Sequence, residues 1–177
     1  MAESQGAKMD VKEMMEIYEK LAIPGDPHKL LAALEGSWTT KTVFWMEPGK
    51  PPMEATGTCE QKMIMDGLFL EQVYGGDMMG KKFTGINIIG YNNYTGRYGS
   101  VWIDNMGSGI YCFEGSEGPD GKSIIQESRY DDPVQGATRW RSIMRIRDDR
   151  TVLYEASITG KSGKEEKMME MTLTRKA

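Results

Sequence analysis

The hydrophobic period of the chain changes at Gly36-Ser37-Trp38, and this change constrains the fold more than any other feature. Before it, apolar residues such as Met14 and Ile17 recur at helical spacing. After it, apolar and polar residues alternate through about ten short segments, which are separated by glycine- and proline-rich turns. Sequential strands joined by short turns predict an all-β fold, a single antiparallel up-and-down barrel that can enclose a cavity.

Two short helices are predicted ahead of the barrel. The first covers residues 10–21, with Asp10 as its N-cap and Glu13 in the position of a capping box. The second begins at Asp26-Pro27, where the aspartate caps the helix and the proline occupies its first turn. It ends at Gly36, and we expect the two helices to plug or flank one mouth of the barrel.

The length of 177 residues suits one folded domain with its own core. We expect residues 1–25 to form a helical N-terminal extension and residues 26–177 to form the barrel domain. A split β-sandwich is the competing architecture. The predicted strands are residues 38–46, 53–66, 68–74, 83–91, 98–104, 110–114, 123–131, 137–147, 152–159 and 167–175.

The net charge and the hydropathy of the chain limit the classes of partner and the location that we expect for it. The net charge of −4 argues against nucleic acid or an anionic membrane as a partner. No apolar run reaches the roughly 18 residues that a membrane span needs, and the polar start of the chain lacks the apolar stretch of a signal peptide. These features predict a cytoplasmic protein, in which Cys59 and Cys112 are small buried hydrophobic residues and not a disulfide framework.

A set of motifs resembles the family known as "domain of unknown function 1579", over about residues 26 to 176. This resemblance implies a lipocalin-like (calycin) barrel and implies no established activity. The matching stretches are His28-Lys29-Leu30-Leu31 to Trp38, Trp45-Met46-Glu47-Pro48-Gly49, Pro51-Pro52-Met53-Glu54, Met65-Asp66-Gly67-Leu68-Phe69-Leu70, Gly90-Tyr91-Asn92-Asn93-Tyr94, Trp102-Ile103-Asp104-Asn105-Met106-Gly107, Asp131-Asp132-Pro133 and Thr172-Leu173-Thr174-Arg175-Lys176.

The Gly36 and Trp38 pair at the start of the first strand has a partner in Arg175 on the last strand. An arginine stacked over a buried tryptophan at the closed end of a barrel is a favourable cation–π arrangement. We therefore interpret these three residues as structural closure of the barrel and not as a binding site.

Related barrels include lipocalins, fatty-acid-binding proteins and nitrobindin-like haem proteins. A haem protein of this kind would need a histidine from a late strand, whereas the single histidine, His28, precedes the barrel. We expect no haem or other cofactor, and His28 either to hydrogen-bond near the start of the second helix or to be exposed. The single histidine also rules out Ser–His or Cys–His catalysis anywhere else in the chain.

The leading functional hypothesis is that a small, mostly apolar molecule binds inside the barrel. An apolar cavity with a few convergent polar groups is the usual form of a ligand pocket. Asn87 and Asp104 are predicted to orient the polar end of the ligand, although inward polar residues can equally form a satisfied internal hydrogen-bond network. The residues predicted to line the wall are Met63, Met65, Phe83, Tyr91, Trp102, Trp140 and Tyr154.

Two other functional classes remain open from the sequence. In the first, the barrel is a small-molecule enzyme with Asp104 as acid–base and Tyr91 or Tyr154 as proton donor. Asp104 can instead cap the Asn105-Met106-Gly107 turn, which the sequence favours. In the second, large side chains fill the interior and the barrel is a structural or oligomerisation module. The many methionines favour core packing over a soft-metal site, so no metal is expected.

Overall fold

The computed structural model describes residues 10–47 and 49–177. Most of the polar start of the chain and Pro48 of the predicted loop lie outside the described residues. Two helices come first, α1 (Val11–Leu21) and α2 (Asp26–Ala32). Asp10 caps α1, because its side chain accepts a hydrogen bond from the Lys12 amide. In the described part of the chain, no helix combines the length and the apolar character needed to cross a membrane.

Ten strands follow and close into one antiparallel barrel, in which each strand pairs with its sequence neighbours and the first pairs with the last. The predicted up-and-down barrel is therefore confirmed, and the split sandwich is wrong. The strands are β1 (Gly36–Phe44), β2 (Met53–Ile64), β3 (Phe69–Met78), β4 (Lys81–Asn92), β5 (Arg97–Asp104), β6 (Tyr111–Glu117), β7 (Ser123–Asp132), β8 (Gly136–Ile146), β9 (Thr151–Thr159) and β10 (Glu165–Arg175).

One end of the barrel is closed by α2 and the residues that follow it. His28, Leu31 and Leu34 are buried there, and the Trp38 indole N–H donates to the Leu34 carbonyl at 2.9 Å. The guanidinium carbon of Arg175 lies 4.1 Å from the centre of the Trp38 ring, which confirms the predicted cation–π closure. The hydrophobic core lies at this closed end, where Trp38 packs with residues from several strands.

The boundary between β2 and β3 differs from the prediction. The predicted second strand includes Met65 and Asp66, but β2 ends at Ile64 because both residues take the left-handed backbone conformation, with φ of 50° and 55°. They form a turn with Gly67. A left-handed pair cannot continue the alternation of a strand, so the predicted inward position of Met65 is lost.

The strand β3 is longer than predicted because two glycines continue it. Gly75 and Gly76 pair with Thr58 and Gly57 of β2. A Cβ atom on Gly57 would lie 2.5 Å from the Gly75 carbonyl oxygen, so the strands approach more closely than any larger residue allows there. The glycines that indicate a turn in the sequence therefore permit close strand contact in the structure.

The two cysteines differ in their surroundings. Cys59 is buried on β2, as predicted, whereas Cys112 is exposed, which corrects the sequence prediction. Cys112 lies on β6 between Tyr111 and Phe113, whose side chains line the interior. Strict alternation then turns the thiol outward.

Candidate functional site

Above the closed end, the barrel interior contains a cavity of about 390 Å³. Its wall extends to the turns at the end of the barrel opposite α2, where Asp77, Met78 and Met106 line it. A volume of this size lies within the range of small-molecule sites in proteins. The side chains that point inward from the ten strands determine the shape and the polarity of this cavity.

Aromatic side chains make one wall of the cavity. Trp102 packs against Tyr74 with ring centres 5.6 Å apart and stacks on Phe83 at 6.3 Å. Gly85 makes this possible, because a Cβ atom at that position would lie 2.4 Å from the Trp102 ring. Flexible methionines complete much of the opposite wall, namely Met144, Met168, Met169 and Met171.

A chain of amide side chains crosses β4, β3 and β2. The Asn87 amide donates to the side-chain oxygen of Gln72, and the Gln72 amide donates to that of Gln61, each at 2.7 Å. Gln72 and Gln61 are both buried, so each bond satisfies groups that water cannot reach. Asn87 and Gln72 lie on the cavity wall, whereas Gln61 is not part of it.

A second polar group lies across the cavity on β5, β7, β8 and β9. The Ser100 hydroxyl donates to the Gln126 side-chain oxygen at 3.2 Å. Ser142 and Tyr154 line the same region of the wall. Burial raises the pKa of Tyr154, while the neighbouring Ser142 and Trp140 side chains act in the opposite direction. Tyr154 is therefore a neutral hydroxyl at ordinary pH.

The structure brings most of the sequence-predicted site residues to the cavity wall. Successive side chains of a strand point to opposite faces of the sheet. Side chains that point inward from different strands therefore surround the same cavity, although they are far apart in the sequence. Those found in the wall are Phe83, Asn87, Trp102, Asp104, Trp140 and Tyr154.

Three predicted wall residues lie elsewhere. Met65 is 68% exposed in the turn between β2 and β3. Met63 packs against the core at the closed end. Tyr91 also lies at that end, with its ring centre 5.0 Å from Tyr98 and 6.0 Å from His28. Met63 and Tyr91 are each the last residue but one of their strands, β2 and β4, and both of these strands end at the closed end of the barrel.

Asp104 serves as a turn cap and as the partner of a wall residue. One carboxylate oxygen accepts from the Trp102 indole N–H at 2.7 Å, and the other accepts from the Met106 amide at 2.9 Å. The capping position that the sequence favours is confirmed. Each oxygen thus already accepts one hydrogen bond, and the carboxylate fixes the orientation of Trp102.

Several wall residues were missed from the sequence, including Gln72, Ser100, Gln126 and Ser142. The signal was present for Gln126, because Ile124 and Tyr130 share its inward face on β7. Acidic residues occupy the outer face of that strand. One of them, Glu127, pairs with Arg139 on the neighbouring strand.

His28 is 2% exposed and lies outside the cavity wall. Its Nδ1 accepts a hydrogen bond from the Gly25 amide at 3.0 Å, so the predicted role near the helix start is confirmed. Burial lowers the pKa of this imidazole, while the nearby Tyr91 backbone acts in the opposite direction. Within the described ranges, no three His, Cys, Asp or Glu side chains are placed to hold a metal ion together.

Comparisons with known proteins agree on the fold. A family model described as "Protein of unknown function (DUF1579)" matches residues 23–175. No curated protein matches the chain. Among solved structures, Rv2717c from M. tuberculosis superimposes with a TM-score of 0.62 at 17% identity, over 84% of this chain and 96% of that one.

A second solved structure is the S-type phycobiliprotein lyase CPES from Guillardia theta. It superimposes with a TM-score of 0.62 at 10% identity, over 90% of this chain and 98% of that one. At such identities the likeness establishes a shared barrel fold and nothing about shared chemistry.

Proposed function

Because this chain belongs to the DUF1579 family, whose function is unknown, its role has to be argued from the site, and we propose that the barrel binds a small, mostly apolar molecule in its interior. The observation that carries this proposal is the cavity of about 390 Å³ with its aromatic and methionine wall. Burial of an apolar ligand against such a wall is favoured by roughly 25 cal/mol per Å² of apolar surface removed from water.

The proposed contacts follow from the wall. Phe83 and Trp102 would pack against one side of the ligand, and Trp140 and Tyr154 against another. Asn87 is the proposed polar contact on β4, since its amide already donates to Gln72 and its carbonyl oxygen remains as an acceptor. Asp104 supports the site indirectly, by holding Trp102 in place.

The two competing functions find less support. A filled structural barrel would leave no space of this size among the inward side chains. An acid–base enzyme built on Asp104 would need a free carboxylate oxygen beside a cavity tyrosine. Both oxygens of Asp104 already accept hydrogen bonds, and Tyr91 lies outside the wall, so Tyr154 is the only one of the two proposed donors that lines the cavity.

A pair of substitutions on one strand tests the proposal. Ala55→Phe would project a ring into the cavity from β2, whereas Glu54→Phe would add the same ring on the outer face of the same strand. We expect A55F to abolish binding of a neutral apolar probe, ethylnaphthalene, and E54F to bind it as the unsubstituted protein does. Isothermal titration calorimetry measures binding, and circular dichroism checks that both variants fold.

Native mass spectrometry of protein purified from its own host gives a second test. We expect a co-purifying small molecule with the unsubstituted chain and with E54F, but not with A55F. If A55F retains the molecule, or if the probe binds neither the unsubstituted chain nor E54F, the cavity is not the binding site.

Two further proposals concern organisation and location. We propose that the barrel domain begins near residue 26, because α2 buries His28 and Leu31 against the barrel while α1 buries none of its residues. The match to the family model, which begins at residue 23, supports this boundary. A cytoplasmic location remains the expectation from the sequence.

A further inference from the structure

Two buried hydrogen-bond donors on the cavity wall lack an acceptor within the described part of the chain. They are the side-chain amide nitrogen Nε2 of Gln126 and the indole nitrogen Nε1 of Trp140. The Tyr154 hydroxyl lies near this indole, but the two do not meet the geometry of a hydrogen bond. Gln126 is only 8% exposed, and its side-chain oxygen is already occupied by Ser100. Buried donors without partners are uncommon in folded proteins because desolvating them is unfavourable.

The two donors lie on neighbouring strands and the same face. In the register of β7 and β8, Gln126 lies opposite Ser142, and Trp140 lies opposite Ser128. Gln126 and Trp140 are therefore diagonal neighbours across one antiparallel pair, a separation that long and aromatic side chains can span. Both donors belong to one patch of the wall, so a single acceptor group can serve both.

The charges of the wall restrict what that acceptor can be. The lining residues include the carboxylates of Asp77, Asp104 and Asp132 but no lysine, arginine or histidine. These carboxylates lie at the turn end of the barrel and accept backbone hydrogen bonds there, as Asp77 does from Gly80 and Asp132 from Val134. An anionic ligand would meet like charges on the wall and no cation among the residues that line it.

We propose that the ligand is a neutral apolar molecule bearing a carbonyl oxygen, and that this oxygen accepts hydrogen bonds from Gln126 Nε2 and Trp140 Nε1. This inference rests on the proposed function and specifies the chemistry of its ligand. The apolar body of the ligand then lies against the aromatic and methionine walls. Fatty acids and other carboxylates are excluded as preferred ligands.

Three probes of similar shape separate these chemistries. Acetylnaphthalene carries a carbonyl, ethylnaphthalene carries no acceptor, and naphthoate carries a negative charge, all at the same ring position. We expect acetylnaphthalene to bind about tenfold more tightly than ethylnaphthalene, as one well-formed buried hydrogen bond allows. Naphthoate at neutral pH should bind most weakly. Isothermal titration calorimetry gives the three dissociation constants.

Substitutions then test whether the two donors cause the preference for acetylnaphthalene over ethylnaphthalene. Gln126→Met and Trp140→Phe each replace a donor-bearing side chain with an apolar one. Each substitution should therefore bring the affinities for the two neutral probes closer together. The matched control is Gln61→Met, which also removes a buried amide nitrogen without an acceptor, but one that lies outside the wall. That variant should keep the preference for the ketone. Urea unfolding checks that all three variants are folded.

The outcomes distinguish this inference from the proposed function. If all three probes bind equally, or if naphthoate binds best, the inference is overturned while small-molecule binding stands. A ketone preference that survives in both Q126M and W140F also overturns it. If the protein binds none of the probes, the proposed function fails as well.

Discussion

At the scale of single residues, the closed end of the barrel depends on Arg175. Its guanidinium lies over Trp38 and donates to the carbonyls of Ala33 at 2.8 Å and Asp149 at 2.7 Å. It also donates to the Glu35 carbonyl. Gly36 leaves room for this group, because a Cβ atom there would lie 2.6 Å from one guanidinium nitrogen. One side chain thus joins the last strand to the segment before the first.

Removing this arginine should destabilise the fold. We expect Arg175→Met to lower the free energy of unfolding by about 2 kcal/mol, because a cation–π contact and charged hydrogen bonds to several carbonyls are lost. Arg147→Met, at an exposed position just after β8, should change it by less than about 0.5 kcal/mol. Urea unfolding measures both, and an equal effect of the two substitutions would contradict the closure role.

The single histidine gives stability a defined pH dependence. The folded-state pKa of His28 lies below its ordinary value of 6.5, so the unfolded chain binds the proton more readily. The contribution is complete above pH 6.5 and is lost as the pH falls from there through the folded pKa. No other histidine titrates in this window. We expect unfolding free energy to fall between pH 7.5 and 5.5, and this decrease to be smaller in His28→Asn. An unchanged decrease in the variant would reject this assignment.

At the scale of elements, glycines decide how closely the strands pair. Gly57 on β2 pairs with Gly76 and lies against the Gly75 carbonyl oxygen of β3, where a Cβ atom on Gly57 would clash. The longer β3 carries Met78 to the turn end, where it joins the cavity wall. The pairing of small residues therefore extends the barrel beyond the predicted strand end and adds depth to the site.

Alanine substitutions at two strand glycines, one in a close contact and one without, test whether the close approach of β2 and β3 requires glycine. Gly57→Ala should lower the free energy of unfolding by about 1–3 kcal/mol, because the added Cβ lies 2.5 Å from a backbone oxygen. Gly99→Ala on β5 should be close to neutral, since the nearest atom to its Cβ is 3.9 Å away. Thermal unfolding measures the two effects. A neutral G57A would show that the strands can separate without cost.

At the scale of the whole molecule, closure removes the sheet edges. The first strand pairs with the last over Trp38 to Phe44, and its other side pairs with β2 over the same residues. Every strand therefore has two neighbours, which protects the backbone and keeps the interior separate from solvent along the wall. The cavity exists because this closed sheet encloses more space than its inward side chains fill.

Closure makes a clear prediction for amide hydrogen exchange. The amides of Thr40 on β1 and Met171 on β10 should exchange as slowly as those in the middle of β3 and β4, because all of these strands are paired on both sides. In an open sandwich, β1 and β10 would be edge strands and would exchange much faster. Mass spectrometry of peptic fragments distinguishes the two patterns.

The sequence by itself determined the fold class, the two helices, the order of the strands and the inward face of most of them. These features are local, since the alternation of side chains and the turn residues depend on neighbours in the chain. Trp102, Trp140 and Tyr154 could be placed on the wall for this reason. The closing contact of Arg175 with Trp38 also followed from their positions on the last and first strands.

Only the tertiary structure determined how far along the barrel axis each inward residue lies. It alone also showed that the side-chain donors of Gln126 and Trp140 lack a partner. Depth depends on the register between strands and on the tilt that closes the barrel, which no single strand encodes. Tyr91 has the inward parity of its neighbours and still lies below the cavity. A missing hydrogen-bond partner is likewise a property of all the strands that surround a side chain, because each strand contributes the atoms that fill or leave open the space beside it.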